Sequence, residues 1–297
     1  MAVTVQVPAS TTNLGPGFDC FGVALKLSNH ITIDMEITGK QLPIVEEAAA
    51  LFFNKTGTIP IQFDCRIEGN VPQARGLGSS VTVRAGVLVA LNNLLGTNVS
   101  RETLCHFCSE LEGHSDNAAA AIFGGFAIVN KKRNRVDRFE VKPDLKFVLF
   151  IPGFEVKTNE ARKVVPASFS RQAVVENLAN ASLIAAAFAS GDYERLRQSF
   201  SDLIHQPYRQ HLVPFLPTVL QAAEEAGALG GFLSGSGSTI ACVTLSNEQK
   251  VAGAIASAAP EARGKTLIVT ADNLGARIDE PGSLSGFTKT QIPSRDS

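Results

Sequence analysis

Pro72-Gln73-Ala74-Arg75-Gly76-Leu77-Gly78-Ser79-Ser80-Val81-Thr82-Val83-Arg84-Ala85-Gly86 reads as a glycine loop that runs directly into a helix. Gly76 and Gly78 carry no Cβ, so the backbone can turn through positive φ and bring its N–H groups close to a ligand. From Ser79 the chain is apolar as far as residue 95, and Gly96 can end the helix. The first N–H groups of a helix have no partner inside it, and the macrodipole adds partial positive charge there. Loop and helix start together make an anion site suited to phosphate. The hydroxyls of Ser79 and Ser80 can bond phosphate oxygens or hold a metal. A helix apolar on nearly all sides is predicted to lie buried between a sheet and other helices. Gly86 in its interior costs about 1 kcal/mol of helix propensity and implies close packing.

The common glycine motifs do not describe this loop. Gly264-Lys265-Thr266 resembles the end of a Walker A sequence, but the glycine needed five residues earlier is Ala259. Gly76-Leu77-Gly78 and Gly235-Ser236-Gly237 are followed by Val81 and Ile240 where a dinucleotide fingerprint needs glycine. No serine has glycines two residues before and after it, so there is no nucleophile elbow.

The whole chain narrows the setting. At 297 residues it has room for two domains. Apolar residues make up 44% and charged residues 19%, which excludes a disordered chain. Basic and acidic residues nearly balance (27 against 28) with no long basic run, so the electrostatic footprint of a nucleic-acid binder is absent. The five cysteines are scattered and odd in number, as expected of reduced thiols in a cytoplasmic protein. Cys105 and Cys108 have C-x-x-C spacing, but no second pair follows at zinc-site spacing. The N-terminus has neither the charged nor the apolar region of a signal peptide, and no apolar run is read as a membrane span.

Outward from the loop, residues 2–7, 30–37, 61–67, 125–129 and 145–151 read as strands and 44–54 as a helix. Between the first two strands, Asn13 and Asp19 sit in a turn-rich stretch. They could face a cleft, or form an Asx-turn and a helix cap. A helix capped by Ser100 ends at Glu110-Leu111-Glu112-Gly113 and is followed by His114-Ser115-Asp116-Asn117, a dense run of polar function before an Ala-rich segment. Residues 131–135 read as an exposed turn. Beyond about 150, helices are expected at 159–165, 171–189, 192–204 and 214–226, with the third capped by Asp192. The small apolar run 182–189 predicts that the second of these is central in its domain. A strand, a Gly/Ser turn at 234–238, a strand, a helix at 247–258 and a strand at 266–270 complete the pattern.

Three stretches together resemble a known family. Pro8-Ala9-Ser10-Thr11-Thr12-Asn13-Leu14-Gly15-Pro16-Gly17-Phe18-Asp19, Pro72 to Ser80, and Leu233-Ser234-Gly235-Ser236-Gly237-Ser238-Thr239 are similar, in order, to the three motifs of the GHMP small-molecule kinases. With Glu112-Gly113-His114-Ser115-Asp116-Asn117 and His205-Gln206-Pro207-Tyr208-Arg209, the likeness is to the homoserine kinase branch and runs from residue 4 to about 277. It implies an α+β, two-domain GHMP kinase fold. An N-terminal ATP-binding domain with a left-handed βαβ unit would span 1–155, and a C-terminal ferredoxin-like α/β sandwich 156–297.

The resemblance further implies ATP held by Pro72, Gln73, Ala74, Arg75, Gly76, Leu77, Gly78, Ser79, Ser80, Val81 and Thr82, with Gly235 and Gly237 closing beside the phosphates. Ser80 and a glutamate of the 110–112 pair, Glu112 rather than Glu110, would hold Mg²⁺. L-Homoserine would be gripped by Asn13, Asp19, His114, Asp116, Asn117, Arg162 and Arg209. Asp19 suits its ammonium and the two arginines its carboxylate. Asp116, with Asn13 and Arg162, would serve the transfer to the hydroxyl. The family's usual assembly is a homodimer, in threonine biosynthesis. A related kinase for another small alcohol such as mevalonate, and a GHMP-fold binding protein without catalysis, are the alternatives. The sequence departs from the family pattern at Val81 to Arg84, where small residues are usual, and at Ser115, Ser236 and Ser238. Arg84, one turn beyond the loop, faces either solvent or the nucleotide.

Overall fold

The computed structural model describes residues 1–35 and 41–279. The last two residues of the strand expected at 30–37, and the 280–297 end of the second expected domain, lie outside it. Strand β1 (Ala2–Thr12) pairs antiparallel with β2 (Phe21–Asp34) along its whole length. The register shifts at Pro8/Ala9, where Pro8 faces Ser28 but Ala9 faces Leu25, so Lys26 and Leu27 bulge out of β2. The freed Lys26 N–H donates to the Thr270 carbonyl at 2.9 Å, and Leu25 bridges Ala271. A bulge bends a strand and re-aims it; this one ties the first sheet to the second.

Along its other edge β2 carries β3 (Asp64–Gly69) at one end and β4 (Phe126–Asn130) at the other, both antiparallel to it and therefore parallel to each other. The connection between them contains α2 (Ser79–Leu94), α3 (Arg101–Glu112) and α4 (Asp116–Phe123). With α1 (Pro43–Thr56) these helices cover one face of the sheet. Their core joins Val3, Val5, Val7, Ile31 and Ile33 to Val81, Val87, Leu88 and Leu91. The strand β5 (Arg135–Phe139) extends the sheet beyond β4, and β10 (Arg277–Ile278) closes it beside β1.

The second sheet contains β6 (Lys146–Ile151), β7 (Gly230–Leu233), β8 (Ile240–Thr244) and β9 (Lys265–Val269), ordered β7-β8-β6-β9 and wholly antiparallel. Between β6 and β7 lie α5 (Thr158–Lys163), α6 (Arg171–Ser190), α7 (Gln206–Arg209) and α8 (Leu216–Glu225); α9 (Glu248–Ala258) joins β8 to β9. This is the β-α-β-β-α-β order of a ferredoxin-like unit, with α8 and α9 on one face. The other face shares a core with the first sheet, where Phe147, Leu149 and Phe232 meet Phe21, Leu25 and Phe126. Because β6 pairs with β8 and β9, sheet membership changes before residue 146, ahead of the 155/156 division expected from sequence.

Other expectations change as well. β2 starts at Phe21, nine residues before the expected strand, because Phe21 to Leu25 is buried on both faces and shows no alternation. Residues 192–204 form only one 3-10 turn (Tyr193–Leu196): Asp192 bonds Arg195 Nε at 2.7 Å instead of capping backbone N–H groups. The rest of that segment is drawn toward α6, with Ser201 O accepting from Asn180 and Leu203 N–H donating to Asn177. α6 is not central: Asn177, Ile184, Ala187 and Phe188 are buried, while Val175 and Leu178 are exposed. By length and composition alone it could cross a membrane, but its polar ties through Asn177 and Asn180 fit a surface helix of this fold. Cys105 and Cys108 are unpaired thiols buried in the α3 core.

Gly86 lets α2 lie against β2: a Cβ built there would stand 2.6 Å from the Ile31 Cβ. Gly86→Ala therefore sets a gain of about 1 kcal/mol in helix propensity against overpacking of about 1–3 kcal/mol. A net loss of stability is expected in urea denaturation, partly recovered by Ile31→Ala in the same chain; a stabilised single variant would show that the contact is loose.

Candidate active site

The three glycine-bearing segments meet in one place. Gly78 is the N-cap of α2 at φ 69°, and no side chain caps the helix. The first-turn N–H groups therefore face a cavity of about 1600 Å³, larger than a single small ligand usually needs. A Cβ on Gly76 would collide with the Ser234 carbonyl and stand 2.8 Å from the Gly237 carbonyl. Ser234 Oγ donates to Gly76 O at 2.6 Å, so Thr11 Oγ1, at 2.8 Å, is the donor to Ser234. Gly235 N–H donates to Thr12 O, Thr239 N–H to Arg75 O and Ser10 N–H to Leu77 O. Arg75 also bonds Pro152 O at 3.0 Å, and so anchors the loop to the chain leaving β6.

Most of the expected ATP-loop residues line the cavity; Thr82 and Gly237 do not. Thr82 is fully buried, its Oγ1 donating to Ser79 O at 2.7 Å and accepting from Asn29 Nδ2 at 2.8 Å. Asn29 Oδ1 also accepts from Val71 N–H. Asn29 thus clamps both ends of the loop, a role that sequence reasoning missed because an asparagine in an alternating strand carries no signal. Leu77 contributes backbone only, since its side chain is in the core. Thr158, not singled out from the sequence, and Ser236, 3.4 Å apart by their hydroxyls, also line the cavity.

Glu112, not Glu110, reaches the cavity. Glu110 pairs with Lys55 on the α1 side. Glu112 Oε2 accepts from Ser80 Oγ at 3.1 Å, and its Oε1 is 2.5 Å from Arg84 Nη1. Arg84 extends on to Glu47 at 2.9 Å, so it faces neither open solvent nor the loop. Among the described residues no three His, Cys, Asp or Glu side chains gather to hold a metal alone. Ser80 and Glu112 are hard oxygen donors, joined by their 3.1 Å contact at the cavity. That set fits Mg²⁺, which commonly takes one or two carboxylates and completes its shell with substrate phosphates and water.

Asp116 opens α4 and is only 2% exposed. His114 Nδ1 lies 3.2 Å from its Oδ1, though neither atom completes a well-formed hydrogen bond. Burial lowers the His114 pKa, but the Asp116 carboxylate outweighs it and the net shift is upward. Asn117 is committed to β1: its Oδ1 accepts from Ser10 at 2.7 Å and its Nδ2 approaches Thr12. Asn13 is similarly occupied, with Oδ1 accepting from Asp19 N–H and Nδ2 donating to Gly235 O at 2.9 Å. Both also line the cavity. Asp19 caps no helix.

Asp19 and Arg162 pair with each other, through contacts of 2.6 and 3.0 Å. Arg162 and Arg209 both lie over the Phe18 ring, at 5.7 and 5.1 Å. Arg209 is 2% exposed; its Nε donates to Ala161 O, and Nη1 to Gly235 O and His205 Nδ1. Among the described residues its Nη2 has no protein partner. Burial, then the neighbouring Arg162, lowers its pKa to about 10, so it stays charged at neutral pH. His205 donates from Nε2 to Gly15 O at 2.9 Å, which leaves Nδ1 free to accept from Arg209. Asp202 in turn accepts the N–H groups of Ile204, His205 and Gln206.

Burial lowers the His205 pKa to about 4, below the unfolded value of about 6.5. Between these values the unfolded chain binds the proton that the folded chain refuses. The stability tied to neutral His205 is full above about pH 6.5 and is lost as pH falls toward 4, by the order of 3 kcal/mol. Urea denaturation across pH 4–7 is expected to show that slope, and His205→Gln to flatten it; equal slopes in both proteins would contradict it.

Residues 43–125 match the family profile "GHMP kinases N terminal domain" and residues 184–262 match "GHMP kinases C terminal". The chain is 36% identical to the homoserine kinase of Caldicellulosiruptor bescii, over 95% of this chain and 99% of that one. It is 40% identical to the homoserine kinase of Synechococcus sp., over 82% and 86%. The crystal structure of homoserine kinase from Cytophaga hutchinsonii superposes with a TM-score of 0.85 at 25% identity, covering 94% and 97%. Mevalonate kinase from Methanococcus jannaschii shares the fold at 13% identity, with a TM-score of 0.69 over 92% and 99%. Two matched profiles in family order, relatives spanning nearly the whole chain and a common two-sheet architecture have one conclusion: the chain belongs to the GHMP kinases.

Proposed function

We propose that this protein transfers the γ-phosphoryl group of ATP to the side-chain hydroxyl of L-homoserine, releasing ADP and O-phospho-L-homoserine. The observation that carries the reading is the Asp19–Arg162 pair with Arg209 nearby, in the same cavity that the open N-terminus of α2 lines. A small amino acid brings an ammonium for Asp19 and a carboxylate for the two guanidinium groups. Entering between them, it exchanges one ion pair for two, with its single carboxylate shared by both guanidinium groups. A hydroxy acid such as mevalonate offers only the carboxylate and would strand Asp19.

Phosphoryl transfer passes through a loose transition state, so catalysis rests on positioning and charge neutralisation. The α2 amides and Ser79 would bind the phosphates, and Ser80 with Glu112 would hold Mg²⁺, whose charge offsets that on the transferring oxygens. Asn13 would orient Asp19 and the Gly235 turn. Asp116 would stand by the hydroxyl and take its proton; in a second role it would only orient the alcohol, the proton leaving late to phosphate. Assembly as a homodimer stays part of this proposal, to be read by sedimentation equilibrium.

Mg·ATP turnover should be far more efficient with L-homoserine than with L-serine, L-threonine or mevalonate, and equal kcat/KM across the four would overturn the assignment. Asp19→Asn is expected to raise KM for L-homoserine at least about tenfold, the scale of a lost charge-assisted hydrogen bond, with KM for ATP little changed. Asp116→Asn separates the two roles: a fall in kcat of about 10²–10⁴-fold marks a base, whereas a change confined to KM for homoserine marks an orienting group.

A further inference from the structure

Arg84 is the one cation on a helix that is otherwise apolar where it meets the protein. Its side chain is only 16% exposed and bridges Glu47 of α1 and Glu112 of α3. The placement is not one that stability alone would select. Its Nε is buried without an acceptor among the described residues, and an unsatisfied buried donor is destabilising by about 1–3 kcal/mol. A well-packed apolar side chain often replaces a buried ion pair at no loss.

Arg84 has a geometric consequence that an apolar residue would not have. Glu112 is the last residue of α3, next to Gly113 in the left-handed conformation, so the helix does little to fix its side chain. Arg84 takes Oε1, and the other oxygen, Oε2, is thereby turned to Ser80. Arg84 is itself fixed from behind by Glu47. The carboxylate is only 6% exposed, so without Arg84 it would be a buried charge free to turn away from the loop.

We propose that Arg84 is a positioning residue for metal binding: it holds Oε1 of Glu112 so that Oε2 and Ser80 Oγ stand ready as a pair of ligands for the divalent cation of the nucleotide complex. This rests on the reading of Glu112 as a metal ligand. Outer-sphere partners of that kind are commonly worth 10–100-fold in metal affinity or activity. Arg84 acts from one turn beyond the loop and touches no substrate, so its effect should fall on the metal and not on the amino acid.

The test is Mn²⁺ affinity in the presence of a non-hydrolysable ATP analogue, read by electron paramagnetic resonance on the full chain without turnover. Arg84→Leu is expected to weaken Mn²⁺ binding 10–100-fold, and Arg84→Lys, which keeps the charge but not the fork, to recover part of it. KM for L-homoserine should stay within about twofold in both. Unchanged Mn²⁺ affinity in Arg84→Leu would make the residue merely structural, and tighter binding would make it a competitor of the metal; either overturns the proposal. If Arg84→Leu fails to fold, Glu47→Gln, which releases the back of the guanidinium, must still loosen Mn²⁺, and no change there counts against the proposal. Glu112→Gln separates the two levels: if it leaves Mn²⁺ binding intact, the underlying metal assignment fails. Loss in Glu112→Gln without loss in Arg84→Leu sinks only the role of Arg84.

Discussion

The constraint on which the site depends is the contact between Gly76 and the turn at Ser234 to Gly237. There is no room for a Cβ at residue 76, since the Ser234 carbonyl already occupies that position. The Ser234 hydroxyl spans from Thr11 to the Gly76 carbonyl, so one oxygen ties together three segments from distant parts of the chain. A phosphate loop is useful only if its amides stay aimed, and a loop by itself loses that aim to conformational entropy. Here β1, the second sheet and Asn29 of β2 hold the loop from three directions. The same junction brings Gly235 within reach of Asn13 and Arg209, which links the glycine-loop end of the cavity to the end that carries Asp19 and Arg162.

The end of the cavity at Asp19, Arg162 and Arg209 is organised around opposite charges rather than one cationic patch. Arg209 is buried and always charged, and it is tolerated because carbonyls, the neutral His205 ring and the Phe18 face surround it. Asp202 orders the turn that carries His205, His205 holds Arg209, and Arg209 stands beside Arg162. Asp202, His205 and Arg209 are buried, which fixes the geometry before a ligand arrives and so lowers the ordering cost of binding. The bulge at Lys26 and Leu27 has a similar role at larger scale: it lets one strand serve both sheets, and so fixes the cleft between them.

Much of this was legible in the sequence where local rules decide. The loop and helix from Pro72 to Leu94, the αL positions at Gly76 and Gly78, the Ser100 cap and the β-α-β-β-α-β order of the second half all follow from glycine, capping and periodicity. The family resemblance supplied the fold that joins them. What the sequence could not show were the pairings. Asp19 and Arg162 are 143 residues apart and were assigned to two ends of a ligand, yet they neutralise each other. Arg84 looked out of place because its partners, Glu47 and Glu112, lie on two other helices. Asn13 and Asn117 line the cavity as expected, but the sequence could not show that their amides also bond Asp19, Gly235, Ser10 and Thr12. The strand from Phe21 was hidden by its burial on both faces. The helix expected at 192–204 fails because Asp192 prefers a side chain to the backbone.

The central claim is that the loop at Pro72–Ser80 and the charged pair at Asp19 and Arg162 act on one ligand pair, delivering a phosphoryl group to an amino-acid hydroxyl. The most direct measurement is phosphorus NMR of the product formed from Mg·ATP and L-homoserine. The account predicts a new phosphate-ester resonance coupled to the two protons of the carbon that bore the hydroxyl, appearing in step with ADP. ADP accompanied only by inorganic phosphate, or ADP formation indifferent to homoserine, would contradict it.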